Sequence, residues 1–85
     1  MKQFSYEVKD ELGIHARPAG QLVKAVAGFK SSITIESAKG SADMRRLMAL
    51  MKLSVKQGEE VTVKAEGEDE DAAIAAIEEF FKANL

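Results

Sequence analysis

The chain has no cysteine and no tryptophan among its 85 residues, and it has only one proline and one histidine. The absence of thiols excludes a disulfide framework and a thiolate metal site, so a hydrophobic core has to stabilise the fold. No apolar run is long enough for a signal peptide or a transmembrane helix. We therefore expect a cytoplasmic protein without membrane insertion, folded as one domain over residues 1–85.

The chain also lacks an excess of either charge, because 12 Lys and Arg stand against 14 Asp and Glu to give a net charge of −2. Such a balance provides no overall attraction for nucleic acid or anionic lipid. The aromatic residues fit core positions of the expected strands and helices, so no base-stacking platform lies between the basic residues. A small RNA-binding domain is therefore disfavoured, and nucleic acid is not an expected partner.

Four short segments alternate apolar and polar residues, which is the pattern of strands with one buried face. Their apolar members are Phe4, Tyr6 and Val8, then Ile33 and Ile35, then Ala42, and finally Val61, Val63 and Ala65. The first strand is expected to end near Gly13. Lys39-Gly40 supplies a turn before the third strand. Gln57-Gly58 supplies a turn before the fourth.

Three segments carry apolar residues at helical spacing. The first covers Ala16 to Ala27, and Gly28 is placed to end it in a left-handed cap. The second, at residues 47–53, has too many apolar residues for one narrow stripe, so some should be exposed. The last begins with the acidic run 68–71, whose charge suits a helix N-terminus. The order β-α-β-β-α-β-α predicts an α+β domain with a four-stranded antiparallel sheet covered on one face by the helices.

The only histidine, His15, precedes the first helix, where an N-cap residue belongs. A helix N-terminus has backbone amides without intrahelical acceptors and a partial positive charge, so it can bind phosphate. Pro18 has no N–H, which leaves the amides of Ala16 and Arg17 free, and it disfavours helical geometry at Arg17. The Arg17 guanidinium suits phosphate oxygens, and a neutral imidazole nitrogen is a nucleophile toward phosphorus.

The residues alone leave two interpretations of His15 open, a cap or surface residue and a phosphoryl acceptor. Residues 13–19 read Gly-Ile-His-Ala-Arg-Pro-Ala, and this segment resembles the active-site signature of the HPr family. HPr proteins are the histidine-containing phosphocarriers of the bacterial phosphoenolpyruvate:sugar phosphotransferase system. The resemblance extends over the whole chain, through the helix at 47–51, the turn at 57–58 and the acidic start of the last helix, and it favours the phosphoryl acceptor.

The resemblance implies an open-faced β-sandwich that accepts a phosphoryl group on Nδ1 of His15 from phospho-enzyme I and passes it to IIA domains of sugar permeases. His15 and Arg17 are then the catalytic residues, and Ala16 and Arg17 bind the phosphate. The chain would be a monomeric carrier rather than an enzyme, with no cofactor and no metal. The alternative is a regulatory module with the same fold that acts mainly by binding partners, although the presence of His15 and Arg17 disfavours it.

The second helix is the partner-docking surface that the resemblance implies. Leu50 and Leu53 can face the sheet while Met48 and Met51 lie on the other side, and methionine adapts to several partners. Arg17 and Arg45 are expected to add charge to a basic rim around this surface. The expected partner-binding residues are Lys24, Arg46, Leu47, Met48, Met51 and Lys52. The alternative is that the methionines are core residues and that the charged side chains are only solvated.

The sequence departs from many relatives at Arg46. Numerous HPr proteins of Gram-positive bacteria carry a serine at the aligned position, and a dedicated kinase phosphorylates it. Arg46 has no hydroxyl group, so this modification is not expected here. Arg46 also places a positive charge where the helix dipole disfavours one, and Asp43 is expected to offset this by starting the helix sooner.

Overall fold

The computed structural model describes residues 1–85 and contains four strands and three helices. They are β1 Lys2–Glu7, α1 Ala16–Val26, β2 Ser32–Ser37, β3 Gly40–Asp43, α2 Leu47–Lys52, β4 Glu60–Glu66 and α3 Glu70–Asn84. Their order along the chain is the predicted β-α-β-β-α-β-α. None of the three helices has the length and apolar character that crossing a membrane requires.

The four strands form one antiparallel sheet in the order β1-β4-β2-β3. Val63 pairs with Phe4 of β1 and with Ile35 of β2, so apolar side chains form a row across the sheet. Phe81 of α3 packs edge-on against the rings of Phe4 and Tyr6, with centroids 5.6 and 5.5 Å apart. The predicted α+β open-faced sandwich, with its helices on one face, is confirmed.

Each helix contributes its predicted apolar face to the core. Leu22 and Val26 of α1 and Ile77 and Phe81 of α3 are fully buried, and each such side chain contributes about 1.5–3 kcal/mol of burial free energy. Met44, in the connection between β3 and α2, is also fully buried, which the periodicity did not indicate. The three helices are therefore fixed against the sheet.

The first strand ends at Glu7, so the expectation that it reaches the neighbourhood of Gly13 was wrong. After β1 the chain turns away from its neighbour β4, because the amides of Lys9 and Asp10 donate to the carbonyl of Leu85, at the end of α3. A loop therefore connects the sheet to α1, and the end of the last helix anchors that loop.

Two predictions about helix ends were also wrong. Helix α1 stops at Val26, and Ala27 caps it in right-handed geometry by donating to the Lys24 carbonyl, so Gly28 does not form a left-handed cap. Helix α2 does not begin early at Asp43. Its N-cap is Arg46, because the Asp43 carboxylate accepts the amide of Arg45 at 2.9 Å and closes a turn there instead.

Candidate functional site

His15 is the N-cap of α1, as predicted. Its backbone is extended, with φ −100° and ψ −175°, and its carbonyl accepts the amide of Ala19 at 3.0 Å. The imidazole makes no capping hydrogen bond, so the backbone alone performs the capping role. The ring is 35% exposed and remains free for chemistry with a ligand.

Two backbone amides next to the ring have no protein acceptor. The N–H groups of Ala16 and Arg17 lie at the start of α1, and buried Pro18 has no N–H to add. Arg17 is helical, so the expectation that Pro18 keeps it out of helical geometry was wrong. The Ala19–His15 hydrogen bond closes the first turn around Arg17 and offsets the steric preference of a residue before proline.

The ring opens into a small cleft between the start of α1 and the end of α3. Its volume is about 200 Å³, and its lining residues are Asp10, His15, Arg17, Pro18, Gln21 and Asn84. None of these side chains is a large apolar group, so the cleft suits a small charged ligand better than an apolar one. Arg17 is exposed and forms no ion pair with another side chain, which leaves its guanidinium available to an anion.

The cleft contains one carboxylate that sequence analysis did not identify. Oδ1 of Asp10 lies 3.9 Å from Nε2 of His15, which is beyond hydrogen-bond distance and within the distance of an ion pair when the ring is protonated. The same oxygen accepts the amide of Leu12 at 2.8 Å. The Asp10 amide donates to the carbonyl of Leu85 at 2.9 Å. The carboxylate is therefore positioned by the loop rather than by His15.

The segment before His15 is clamped to the connection between α2 and β4. Ile14 is buried and donates its amide to the Val55 carbonyl at 2.9 Å. Gly13 has a φ of 68°, and a Cβ at this position would lie 2.1 Å from the same carbonyl oxygen. Only glycine fits this close approach, and the glycine of the predicted signature therefore fixes the position of His15.

Helix α2 is divided as predicted. Leu50 and Leu53 are buried, whereas Leu47, Met48 and Met51 are 39%, 69% and 37% exposed. Helix α2 packs on α1 as well as on the sheet, so this apolar patch lies on the same layer as the helix that carries the histidine.

The basic residues around this patch do not all share one role. Lys24, Arg46 and Lys52 are exposed and form no ion pairs. Arg45, which was expected in the same rim, instead donates to the carbonyl of Ser31 at 2.8 Å and to the carbonyl of Phe29. It is half-buried and ties the start of α2 to the segment before β2, so the rim excludes it.

Comparisons with known proteins show which family this sequence resembles. The family model described as "PTS HPr component phosphorylation site" matches residues 2–83. The phosphocarrier protein HPr of Lysinibacillus sphaericus is 43% identical over 91% of this chain and 88% of its own length.

Solved structures give the same result. The histidine-containing phosphocarrier protein of Mycoplasma is 38% identical and superposes with a TM-score of 0.91, covering 93% of this chain and 90% of that one. An HPr structure from Thermoanaerobacter tengcongensis is 36% identical with a TM-score of 0.92, covering 98% of this chain and 93% of that one. The chain belongs to the HPr family of phosphocarrier proteins of the phosphotransferase system.

Proposed function

We propose that this chain carries a phosphoryl group on His15, accepting it from phospho-enzyme I and passing it to IIA domains of sugar permeases during phosphoenolpyruvate-dependent sugar uptake. The observation that carries the proposal is the surroundings of the ring. An exposed imidazole without a capping role stands beside two free amides and an unpaired guanidinium at a helix N-terminus.

The roles of the residues follow from the chemistry. A ring nitrogen of His15 attacks phosphorus, and the bond from phosphorus to the donor breaks, with its electron pair returning to the donor. The guanidinium of Arg17 and the amides of Ala16 and Arg17 bind the phosphoryl oxygens as the group arrives. The reverse steps deliver the group to the next protein. Both transfers occur between proteins, so the chain acts as a carrier and not as an enzyme. We place this carrier in the cytoplasm.

The exposed face of α2 is the proposed docking surface for both partners. Leu47, Met48 and Met51 form its apolar centre, because an exposed apolar cluster bordered by charge is typical of a binding site. Its basic rim is Arg17, Lys24, Arg46 and Lys52. A shared surface implies that enzyme I and a IIA domain bind one after the other, and a monomer is sufficient for this exchange.

The experiment is phosphorylation of the purified chain by enzyme I and phosphoenolpyruvate, followed by intact-mass measurement. We expect the addition of one acid-labile phosphoryl group, and none in His15→Ala. Transfer to the variant with unchanged acid lability would contradict the assignment. A wild-type chain that stays unmodified would contradict the proposed function as a whole.

The exposed apolar face of α2 also supports a second candidate, a regulatory module that acts mainly by binding. Complementation separates the two functions. A bacterial strain deleted for its own phosphocarrier should regain uptake of phosphotransferase sugars with the wild-type chain and not with His15→Ala. Equal behaviour of the two chains in such a strain would favour the binding module.

A further inference from the structure

The two nitrogens of the His15 imidazole have different surroundings in the cleft. Nε2 faces the carboxylate of Asp10 at 3.9 Å. Both are partly exposed, at 35% for the histidine and 31% for the aspartate, so water screens the contact without removing it. Among the lining residues the only other charged side chain is Arg17, which is a cation. Asp10 is therefore the only negatively charged side chain that lines the cleft.

The position of this carboxylate does not depend on the ring. The loop holds Asp10 by three hydrogen bonds, from its own amide to the Leu85 carbonyl, from the Gly13 amide to its carbonyl at 2.9 Å, and from the Leu12 amide to Oδ1. A carboxylate fixed in this way is preorganised. It keeps the same position whether the ring is neutral or protonated.

A fixed anion beside one ring nitrogen favours the tautomer that carries its proton there. It also repels the phosphoryl group from that side of the ring. We propose that Asp10 is a positioning residue that keeps the ring proton on Nε2 of His15 and leaves the lone pair of Nδ1 facing the incoming phosphoryl group. This inference rests on the proposed function, because it names the residue that keeps the ring in the form which that function needs.

The step needs no proton transfer. The Nδ1 lone pair forms the bond to phosphorus, and the bond between phosphorus and the donor breaks with its electrons leaving on the donor. The ring keeps its proton on Nε2 and carries a positive charge, which the Asp10 carboxylate attracts. In the other tautomer the Nδ1 proton would have to leave before the nitrogen could attack. The contact should shorten into a charge-assisted hydrogen bond in the phosphorylated chain.

The test compares the removal of one charge at two neighbouring positions. Asp10→Asn removes the charge, and its amide oxygen can still accept the Leu12 N–H. Asp10→Ser, which also forms such turns, is a second neutral variant. Asp10→Glu restores a carboxylate. Glu11→Gln removes the same charge from an exposed neighbour that does not line the cleft.

The decisive measurement is the tautomer of His15 in the free protein. Nitrogen-15 chemical shifts of the ring, recorded at about pH 8.5, two units above the reference pKa of a histidine side chain, report which nitrogen carries the proton. We expect a larger fraction of the Nδ1–H form in Asp10→Asn and Asp10→Ser, the wild-type fraction in Glu11→Gln, and partial recovery in Asp10→Glu. An unchanged tautomer ratio in both neutral Asp10 variants would overturn the inference.

The second measurement is phosphoryl transfer from enzyme I, with the chain treated as its substrate. Loss of the charge should lower kcat by about twofold to fivefold, the effect of an exposed charge pair, and leave KM unchanged. Equal losses in Asp10→Asn and Glu11→Gln would also overturn the inference. A wild-type chain that accepts no phosphoryl group would contradict the proposed function instead, because the tautomer is measured without any transfer.

Discussion

Arg17 is the residue whose removal best separates chemistry from folding. Its side chain is exposed and forms no ion pair, so Arg17→Ala should leave the free energy of unfolding nearly unchanged. Transfer to the chain should slow by about 10- to 100-fold, because charge-assisted hydrogen bonds to the phosphoryl oxygens are lost. The transfer rate of Arg17→Lys should lie between those of the wild type and Arg17→Ala, since lysine keeps the charge and loses the planar guanidinium. Rapid-quench measurement of transfer checks the order, and equal rates in all three chains would contradict it.

Arg46 is the residue that distinguishes this chain from relatives with a regulatory serine. It is the exposed N-cap of α2 and offers no hydroxyl group. HPr kinase with ATP should therefore leave the wild-type chain unmodified. Arg46→Ser should become a substrate, because serine suits an N-cap and a phosphate there meets the positive end of the helix. Mass spectrometry decides between the outcomes, and stoichiometric phosphorylation of Ser41 or Ser54 in the wild type would refute the prediction.

His15 and Arg17 could be proposed as site residues from sequence, because a signature of seven consecutive residues places both at a predicted helix start. Asp10 could not. Its position depends on a loop that leaves the sheet early and is held by the carbonyl of Leu85, at the other end of the chain. Hydrophobic periodicity does not describe such a contact. Arg45 was misassigned for a similar reason, since only the folded chain brings the Ser31 carbonyl within its reach.

At the scale of elements, the start of α3 is tied to the segment before β2. The carboxylate of Asp69 accepts the Ser31 hydroxyl and the amides of Lys30 and Ser31, at 2.8 and 2.9 Å for the amides. The hydroxyl of Ser31 first, and then the Lys30 amide, hold the pKa of Asp69 below its usual value of 3.8. The connection between the two elements therefore depends on an ionised carboxylate.

This connection should contribute to acid unfolding. A lowered pKa stabilises the fold fully above the pKa of the unfolded chain, and that stability disappears as pH falls below about 4 through the folded value. Thermal unfolding midpoints between about pH 2 and pH 6 should fall less steeply in Asp69→Asn than in the wild type. Ser31→Ala should likewise make the thermal unfolding midpoint fall less steeply over this pH range. An acid slope in Asp69→Asn equal to that of the wild type would contradict this role.

Two glycines give opposite predictions for the same substitution. Gly67 has a φ of 151°, and a Cβ there would lie 2.8 Å from the Ser31 hydroxyl oxygen. Gly67→Ala should therefore destabilise the fold by about 1–3 kcal/mol through backbone strain and steric overlap. Gly20 lies inside α1, and a Cβ there meets nothing within 4 Å. Gly20→Ala should stabilise the fold by about 0.5–1 kcal/mol. Urea unfolding measures both changes in the free energy of unfolding, and two changes of the same sign would contradict this prediction.

Element boundaries show what local patterns can predict. The division of α2 into buried Leu50 and exposed Met48 and Met51 followed from counting apolar residues. The helix begins at Leu47, as the apolar segment 47–53 predicts, and not earlier at Asp43, because the side chain of Asp43 closes a turn with Arg45 instead of capping the helix. Capping propensity does not distinguish these two uses of an aspartate.

At the scale of the molecule, periodicity and one apolar face per strand predicted the element order and the two-layer architecture. The strand order β1-β4-β2-β3 was not predicted. Lys2 pairs with Ala65, and strand partners so distant along the chain are chosen by packing of the whole sheet. Helix α3 packs on β1 and β4, and its C-terminal end meets the loop that follows β1, which builds the cleft beside His15.

Exposed lysines lie both inside and outside the proposed docking surface, so docking can be tested against a control residue. Lys24 on α1 and Lys52 on α2 are exposed in the proposed rim, whereas exposed Lys82 lies in the last turn of α3. Lys24→Glu and Lys52→Glu should each lower the association rate with enzyme I by roughly twofold to tenfold at low salt. Lys82→Glu changes the net charge equally and should have little effect.

Ionic strength separates steering by the rim from a change in the apolar contact. Stopped-flow association with enzyme I should depend less on salt in the two rim variants, because each has lost a favourable long-range charge interaction. Met48→Ala, at the exposed centre of α2, should instead raise the dissociation rate and leave the salt dependence as in the wild type. The rim and the patch then act at different stages of one encounter. Equal losses of association rate in Lys24→Glu, Lys52→Glu and Lys82→Glu would mean that only the net charge of the molecule matters, and the docking surface would have to lie elsewhere.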